Sequence, residues 1–187
     1  VGEGTLTFRF GTVTATPPAE TPPGAQSFDA FSVNADRPAA TITIDSSNNT
    51  LAGLRDAINE AGIGVSATIV NDGSGSRLLL NTAETGAASA VEIQVSDSDA
   101  NDTDALGLSR LAFNAGAANL TQTAAGLDAQ FSINGLDLTS ASNEASGVIG
   151  GVDLTLRAET DSAVTVSVSK DVGAVRSAIE TFVSAFN

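Results

Sequence analysis

The sequence predicts an α+β fold: two β-rich domains, one inserted in the other, followed by a truncated C-terminal helix of coiled-coil or bundle type. Short runs of alternating apolar and polar residues recur between residues 5 and 168, which is the period of half-buried strands. Two stretches, starting at Leu51 and at Val172, switch to spacings of three and four, the period of helices. Strands of the last third need a sheet to join, and the run at 5–10 is a candidate neighbour for them. That pairing would make residues 1–12 and 126–170 one split β domain, with 26–112 inserted as an α+β domain and 171–187 starting a helical one.

The first element is Thr5-Leu6-Thr7-Phe8-Arg9-Phe10, with Leu6, Phe8 and Phe10 on one face and Gly11 opening a break. Residues 16–24 hold four of the five prolines and read as a surface loop or linker, because proline removes amide donors and favours extended backbone. Ile42 and Ile44 alternate with Thr41, Thr43 and Asp45 as a second strand. Thr50 then caps a helix with Leu51, Leu54 and Ile58 on one stripe and Gly62 at the left-handed C-terminal position.

Val65, Ala67 and Ile69 alternate again, residues 71–75 make a turn, and Arg77-Leu78-Leu79-Leu80 returns as the second arm of a hairpin. Val91, Ile93 and Val95 form a further strand. Residues 104–111 have room for one or two helical turns, whereas 113–125 shows no clear period. Ala129, Phe131 and Ile133 lead into Asn134-Gly135, a dipeptide suited to a tight hairpin turn, and Leu136 and Leu138 continue beyond it. Val152, Leu154 and Leu156 predict one more strand and Val164, Val166 and Val168 another. In the last segment Asp171 is placed as N-cap, and Val172, Val175, Ile179, Phe182 and Phe186 form a packing seam. A lone helix of this length is marginal in water, so its partner is either outside this chain or another chain.

Composition limits the chemistry. With 42% apolar residues among 187, the chain is able to bury a core, but eight Phe with no Trp or Tyr make that core light. Eight basic against 22 acidic residues give a net charge of −14, which repels nucleic acid and anionic membranes and favours solubility in a crowded, secreted assembly. The absence of Cys removes disulfides, thiolate nucleophiles and Cys-based zinc sites, and the absence of His removes the commonest general base. No apolar run approaches the roughly 20 residues of a membrane helix. The start at Val1 without Met, and the apolar helical end, read as cuts from a longer chain.

Residues 97–104 superficially resemble a calcium loop. An EF-hand starting at Asp97 wants Gly sixth and Glu twelfth, where Asp102 and Leu108 stand, so a solvated acidic turn is the better reading. The glycine-rich stretches 71–75 and 147–151 lack the Lys and the strand-to-helix setting of a phosphate loop. Carboxylate pairs such as Asp97 with Asp99, or Glu159 with Asp161, sit in polar runs without aromatic platforms for a sugar. Asn59, at the end of the first helix, is placed to satisfy backbone groups in the following turn. No catalytic residue, cofactor or metal ligand is expected, and the chain is not expected to be an enzyme.

The run from Thr50 to Gly73, continuing through Arg77-Leu78-Leu79-Leu80, closely resembles the Ile-Asn motif shared by flagellins and hook-associated proteins, with Leu51, Leu54, Ile58 and Asn59 as its marked positions. Ala129-Gln130-Phe131-Ser132-Ile133-Asn134-Gly135, Ser142-Asn143, residues 151–156, residues 164–168 and residues 179–187 resemble the C-terminal region of the flagellar filament cap family, FliD. Glu144-Ala145 stands where a β-branched pair is expected, and Phe186 where Tyr is common.

The resemblance implies a structural subunit of a ring-like cap at the extracellular tip of the bacterial flagellum. It implies copies of the same protein and flagellin as partners, and two outer β domains set on a helical leg that starts at 171–187. The alternative from another class is an adhesin tip binding mucin or host glycans through exposed loops at 12–30 and 97–126.

Overall fold

The computed structural model describes residues 1–14, 30–167 and 172–186. These fall into two compact units, Val1–Leu156 and Arg157–Asn187.

The first unit is built on β1 (Gly4–Thr14), an eleven-residue strand hydrogen-bonded along both edges. On one side it runs antiparallel to β6 (Ala90–Asp97). On the other it meets two short strands in succession, β3 (Ala40–Ile44) against residues 4–8 and β2 (Ala30–Val33) against residues 11–14. Beyond β6 the sheet continues through β7 (Phe113–Asn114) to β8 (Ala117–Ala118).

The alternation in the sequence decides which face is covered. Leu6 lies between Ile42 and Val95, and Phe8 has Ile93 across from it, so one face gathers Leu6, Phe8, Phe10, Ile42, Ile44, Ile93 and Val95 into the core. The opposite face carries Thr5, Thr7, Thr41, Thr43, Gln94 and Ser96, with the hydroxyls of Thr7 and Thr41 3.1 Å apart. This one-sided pattern is normal for an antiparallel sheet.

Helix α1 (Leu51–Glu60) covers part of the apolar face. The Thr50 hydroxyl accepts from the Gly53 amide at 3.0 Å, which satisfies one of the helix's unpaired donors. Leu54 and Ile58 are fully buried, Leu51 is half-buried, and Gly62 takes the left-handed φ of 59° that ends the helix. The chain then forms the hairpin of β4 (Val65–Asn71) and β5 (Ser76–Thr82). Val65 and Ala67 are buried, with Leu78 and Leu80 packed at the core's margin.

Residues 104–111, read as having room for one or two helical turns, end in a short 3-10 turn at Ser109–Leu111, and with the aperiodic stretch after it they supply Leu108, Leu111, Ala112, Phe113 and Ala117 to the core. Asn114 organises their turn: its Oδ1 accepts from the amides of Gly116 and Ala117, and its Nδ2 donates to the Ile93 carbonyl.

Two further hairpins follow, β9 (Ala129–Ile133) with β10 (Leu136–Ser140), and β11 (Glu144–Ile149) with β12 (Val152–Thr155). Asn134 and Gly135 have φ of 52° and 82°, the positive pair that a tight turn between right-twisted strands demands.

Two strand expectations need correction. The strand at 5–10 does not pair with strands after residue 126. Its apolar residues are matched across both edges by Ile42, Val95 and Ile93, whereas the later strands pair with their own neighbours in local hairpins. Residues 164–167 form no strand, and Val164 and Val166 are exposed, because alternation supplies a period but not a neighbouring edge; Val168 lies outside the described residues.

The second unit contains α2 (Val172–Phe186). Asp171, expected as its N-cap, lies outside the described residues, as do the side chains of Val172 and Val175. Among the described residues no helix is long and apolar enough to cross a membrane.

Phe8 sits at the centre of the sheet with no exposed surface. Phe8→Ala is expected to remove about 3–5 kcal/mol of unfolding free energy, as a large cavity in a packed core does. Thr7→Ala on the polar face should change it by about 0.5 kcal/mol or less. Urea unfolding of the two variants checks both values, and similar losses would contradict the one-sided core.

Candidate functional site

The surfaces of this chain are set by a few polar side chains that join elements distant in sequence. Asn59, at the end of α1, reaches β4: its Nδ2 donates to the Ala67 carbonyl at 2.9 Å, and the Ala67 amide donates to its Oδ1 at 2.7 Å. In an antiparallel pair alternate residues turn their N–H and C=O away from the partner strand. At Ala67 the Asn59 amide occupies that outward pair, taking the place of a third strand.

A primary amide suits the position because it offers a donor and an acceptor on one planar group. Ala67 is buried, so leaving either backbone group unpaired would be costly. Ile58 provides the apolar half of the same contact, fully buried beside Leu54. The structure therefore carries the Asn59 side chain past the turn that follows the helix and onto the strand. The turn is closed by the backbone instead, with the Gly62 amide donating to the Asn59 carbonyl.

Two arginines fasten the sheet at other points. The Arg37 guanidinium lies 3.7 Å over the Phe10 ring and bonds Glu84 at 2.9 Å, tying the segment after β2 to the connection after β5. Arg9 pairs with Glu92 across the β1–β6 ladder at 3.0 Å and lies 5.9 Å over Phe31. Glu92 is buried, and the arginine supplies the partner charge that a desolvated carboxylate requires.

Residues 98–103 are exposed, as the reading of a solvated acidic turn expects, and Asp97 at the head of the loop is the exception. Asp97 is buried, and its Oδ2 accepts from the amides of Leu108 at 2.6 Å and Ser109 at 2.9 Å, and from the Ser109 hydroxyl at 3.3 Å. Asp102 turns back to the Asp97 amide, Asp99 to the Asn101 amide and Asp104 to the Leu106 amide. Asn119 closes the loop from below, donating to the carbonyls of Asp104 and Ser109.

Burial raises the Asp97 carboxyl's affinity for a proton, but the Ser109, Leu108 and Asp99 amides and the Ser109 hydroxyl outweigh it and hold the pKa below its ordinary value. These carboxylates are engaged with their own loop, and among the described residues no group of three or more His, Cys, Asp or Glu is placed to hold a metal ion. The loop reading of 97–126 also changes, since Leu108, Leu111, Ala112, Phe113 and Ala117 within it belong to the core. Of the other segment expected to be exposed, 12–30, residues 15–29 lie outside the described residues.

At the β4–β5 turn Asp72 accepts from the Ser74 hydroxyl, the Ser74 and Gly75 amides and Arg77, which holds its carboxyl well below the usual range. The turn is built from side chain to backbone, with no phosphate cradle. Glu159 and Asp161 lie exposed in the second unit. On α2, Ile179, Phe182 and Phe186 are exposed, with the two rings 5.1 Å apart, so the seam read from spacing presents an apolar face within its own unit.

Arg37, Asp97 and Asn119 give no periodic or motif signal in the sequence, since each acts on backbone or rings brought near only by folding. A family model described as flagellar hook-associated protein 2 C-terminus matches residues 126–187. The chain is 40% identical over 160 residues to the B-type flagellar hook-associated protein 2 of Pseudomonas aeruginosa, covering 78% of this chain and 33% of that protein. It is 34% identical over 155 residues to flagellar hook-associated protein 2 of Escherichia coli K12, covering 81% and 32%. The chain thus spans about a third of the length of these curated relatives.

Among solved structures it is similar to FliD (HAP2) from Pseudomonas aeruginosa PAO1, with a TM-score of 0.67 and 37% identity, covering all of this chain and 75% of that one. It is also similar to the D1-D2-D3 domains of the Escherichia coli flagellar cap protein FliD, with a TM-score of 0.72 and 27% identity, covering all of this chain and 54% of that one.

Asn59→Ala is expected to cost about 2–3 kcal/mol, because two backbone groups at a buried residue lose their partner. Asn59→Asp keeps an acceptor but turns a second one toward the Ala67 carbonyl, and is expected not to restore the contact. Hydrogen exchange at the Ala67 amide reads the contact directly and should accelerate in the Ala variant. For Asp97 the folded pKa lies below the unfolded one, so its contribution is complete above the unfolded value near 3.8 and is lost as pH falls through the folded value. Asp97→Asn should therefore flatten the decline of urea midpoint as pH falls below about 4, and an unchanged slope there would contradict the assignment.

Proposed function

The chain belongs to the flagellar hook-associated protein 2 family, the flagellar cap protein FliD, and from that premise we propose that it forms part of a structural cap subunit at the distal end of the bacterial flagellar filament. The observation that carries this reading is the match along the whole chain, at 37% identity, to a solved FliD, joined to a family match over residues 126–187.

The physical character of the chain supports the same role. A cap has to stay rigid, contact copies of itself and accommodate incoming flagellin, and none of this needs covalent chemistry. The sheet around β1 supplies the rigid body. The arginine and asparagine contacts fix its connections, and the Asp97 and Asp99 carboxylates are turned onto backbone amides. The exposed apolar face of Ile179, Phe182 and Phe186 is the kind of helix surface that packs against other helices, in line with the leg of the cap. The net charge of −14 keeps such a subunit soluble on its way to the filament tip.

A chimera tests the proposal. The corresponding third of the Pseudomonas aeruginosa relative is replaced by residues 1–187 and expressed in a strain that lacks its own cap protein. Filaments and swimming are expected to return, with little unpolymerised flagellin in the medium. A stable, exported chimera that leaves the strain without filaments would overturn the cap reading for this segment.

A further inference from the structure

The connection from β5 to β6, residues 83–89, touches more of the first unit than its length suggests. Toward the sheet and α1, the Ala83 amide donates to the Gly64 carbonyl at 2.9 Å and Glu84 holds Arg37. Toward the later hairpins, the Thr85 hydroxyl donates to the Ala141 carbonyl at 2.8 Å and the Ala87 amide donates to Asp128 Oδ1 at 2.8 Å. Ser89 braces the connection from within, its hydroxyl on the Thr85 carbonyl and its amide on the Gly86 carbonyl.

Between the two sets of contacts, two glycine backbones meet. A Cβ on Gly126 would lie 2.4 Å from the Gly86 carbonyl oxygen, and one on Gly86 would lie 2.8 Å from Ala141 Cβ and 2.9 Å from Asp128 Oδ1. Any side chain at these positions would push the parts apart.

The character of this junction differs from that of the sheet. The Thr85 and Asp128 bonds are exposed to solvent. Leu127, next to Asp128, is 78% exposed, and among the described residues of 126–156 Ala145 is the one apolar residue in the buried core set. Residues 121–128 form neither strand nor helix. Exposed hydrogen bonds contribute little net stability because water replaces them, and such regions open well before a packed core does.

We propose that residues 83–89 form a releasable joint. Through Thr85, Gly86 and Ala87 it holds the β9–β12 hairpins against the sheet by contacts with Gly126, Asp128 and Ala141. Loss of the Asp128 contact frees the hairpins to swing while the sheet stays folded. This conformational device does not depend on the cap reading.

Because the chain has no cysteine, Gln94→Cys and Asp153→Cys, both at exposed positions, place one spin label on the sheet and one on β12. Double electron–electron resonance on the full chain should give a single narrow distance distribution. Asp128→Ala should broaden it at least twofold in width. Asp128→Asn, which keeps the Oδ1 acceptor, should leave it narrow, and the thermal midpoint of the sheet should be the same in all three proteins. A distribution already broad before substitution at 128, or one still narrow in Asp128→Ala, would overturn the joint. So would broadening accompanied by a lower midpoint of the sheet, since Asp128 would then support the fold itself.

Discussion

Strand β1 is the constraint on which the first unit depends, because its backbone is paired on both sides and its side chains reach the centre of the core. Leu6, Phe8 and Phe10 occupy three successive inward positions. Each acts together with residues from a strand on another part of the chain: β3 about 35 positions later, and β6 nearly 90 positions later. Such long-range pairing is slow to form and, once formed, cooperative, since removing β1 would expose both edges and the apolar face together. The opposite face carries threonines and an ion pair whose Glu92 is buried, so the large apolar side chains of the sheet gather on one side.

How much of this was legible in the residues follows from how local each signal is. The helix at Thr50 to Gly62 and the hairpins at Asn71 and Asn134 are written in neighbouring residues: a cap, a stripe, a left-handed terminator, a turn dipeptide. Those readings agree with the structure. The partners of β1 are not local, and alternation alone cannot say which of several alternating runs will meet.

The stretch from Phe113 is opaque for a related reason. It enters the core through two-residue strands and one tight turn, too brief to show any period, whereas the helical turn expected within 104–111 is present at Ser109–Leu111. Asp97 was misread because composition describes a loop's average, whereas its environment is set by the two amides at Leu108 and Ser109 that fold back over it. The run at Val164 shows the converse, a good pattern that forms no strand among its described residues 164–167.

The polar contacts of this chain are spent on geometry. Asn59, Arg37, Asp97 and Asn119 each satisfy backbone groups or cover an aromatic ring, and each links segments that the chain order keeps apart. Their effect is to hold turns and connections in one arrangement over a core of Leu, Ile, Val and Phe side chains. That division of labour, bulk from alternating aliphatics and definition from a few amides and guanidiniums, suits a part that works by shape and contact.

The Asn59 clasp has a consequence for behaviour at high concentration. A two-stranded ribbon offers bare edges, and bare edges recruit strands from other molecules into sheets that grow without limit. At Ala67, in the middle of β4, the Asn59 amide already occupies the outward donor and acceptor. A stray strand arriving there would find its central pair of bonds taken and α1 in its path. Thus the side chain that seats the helix also guards the ribbon against aggregation.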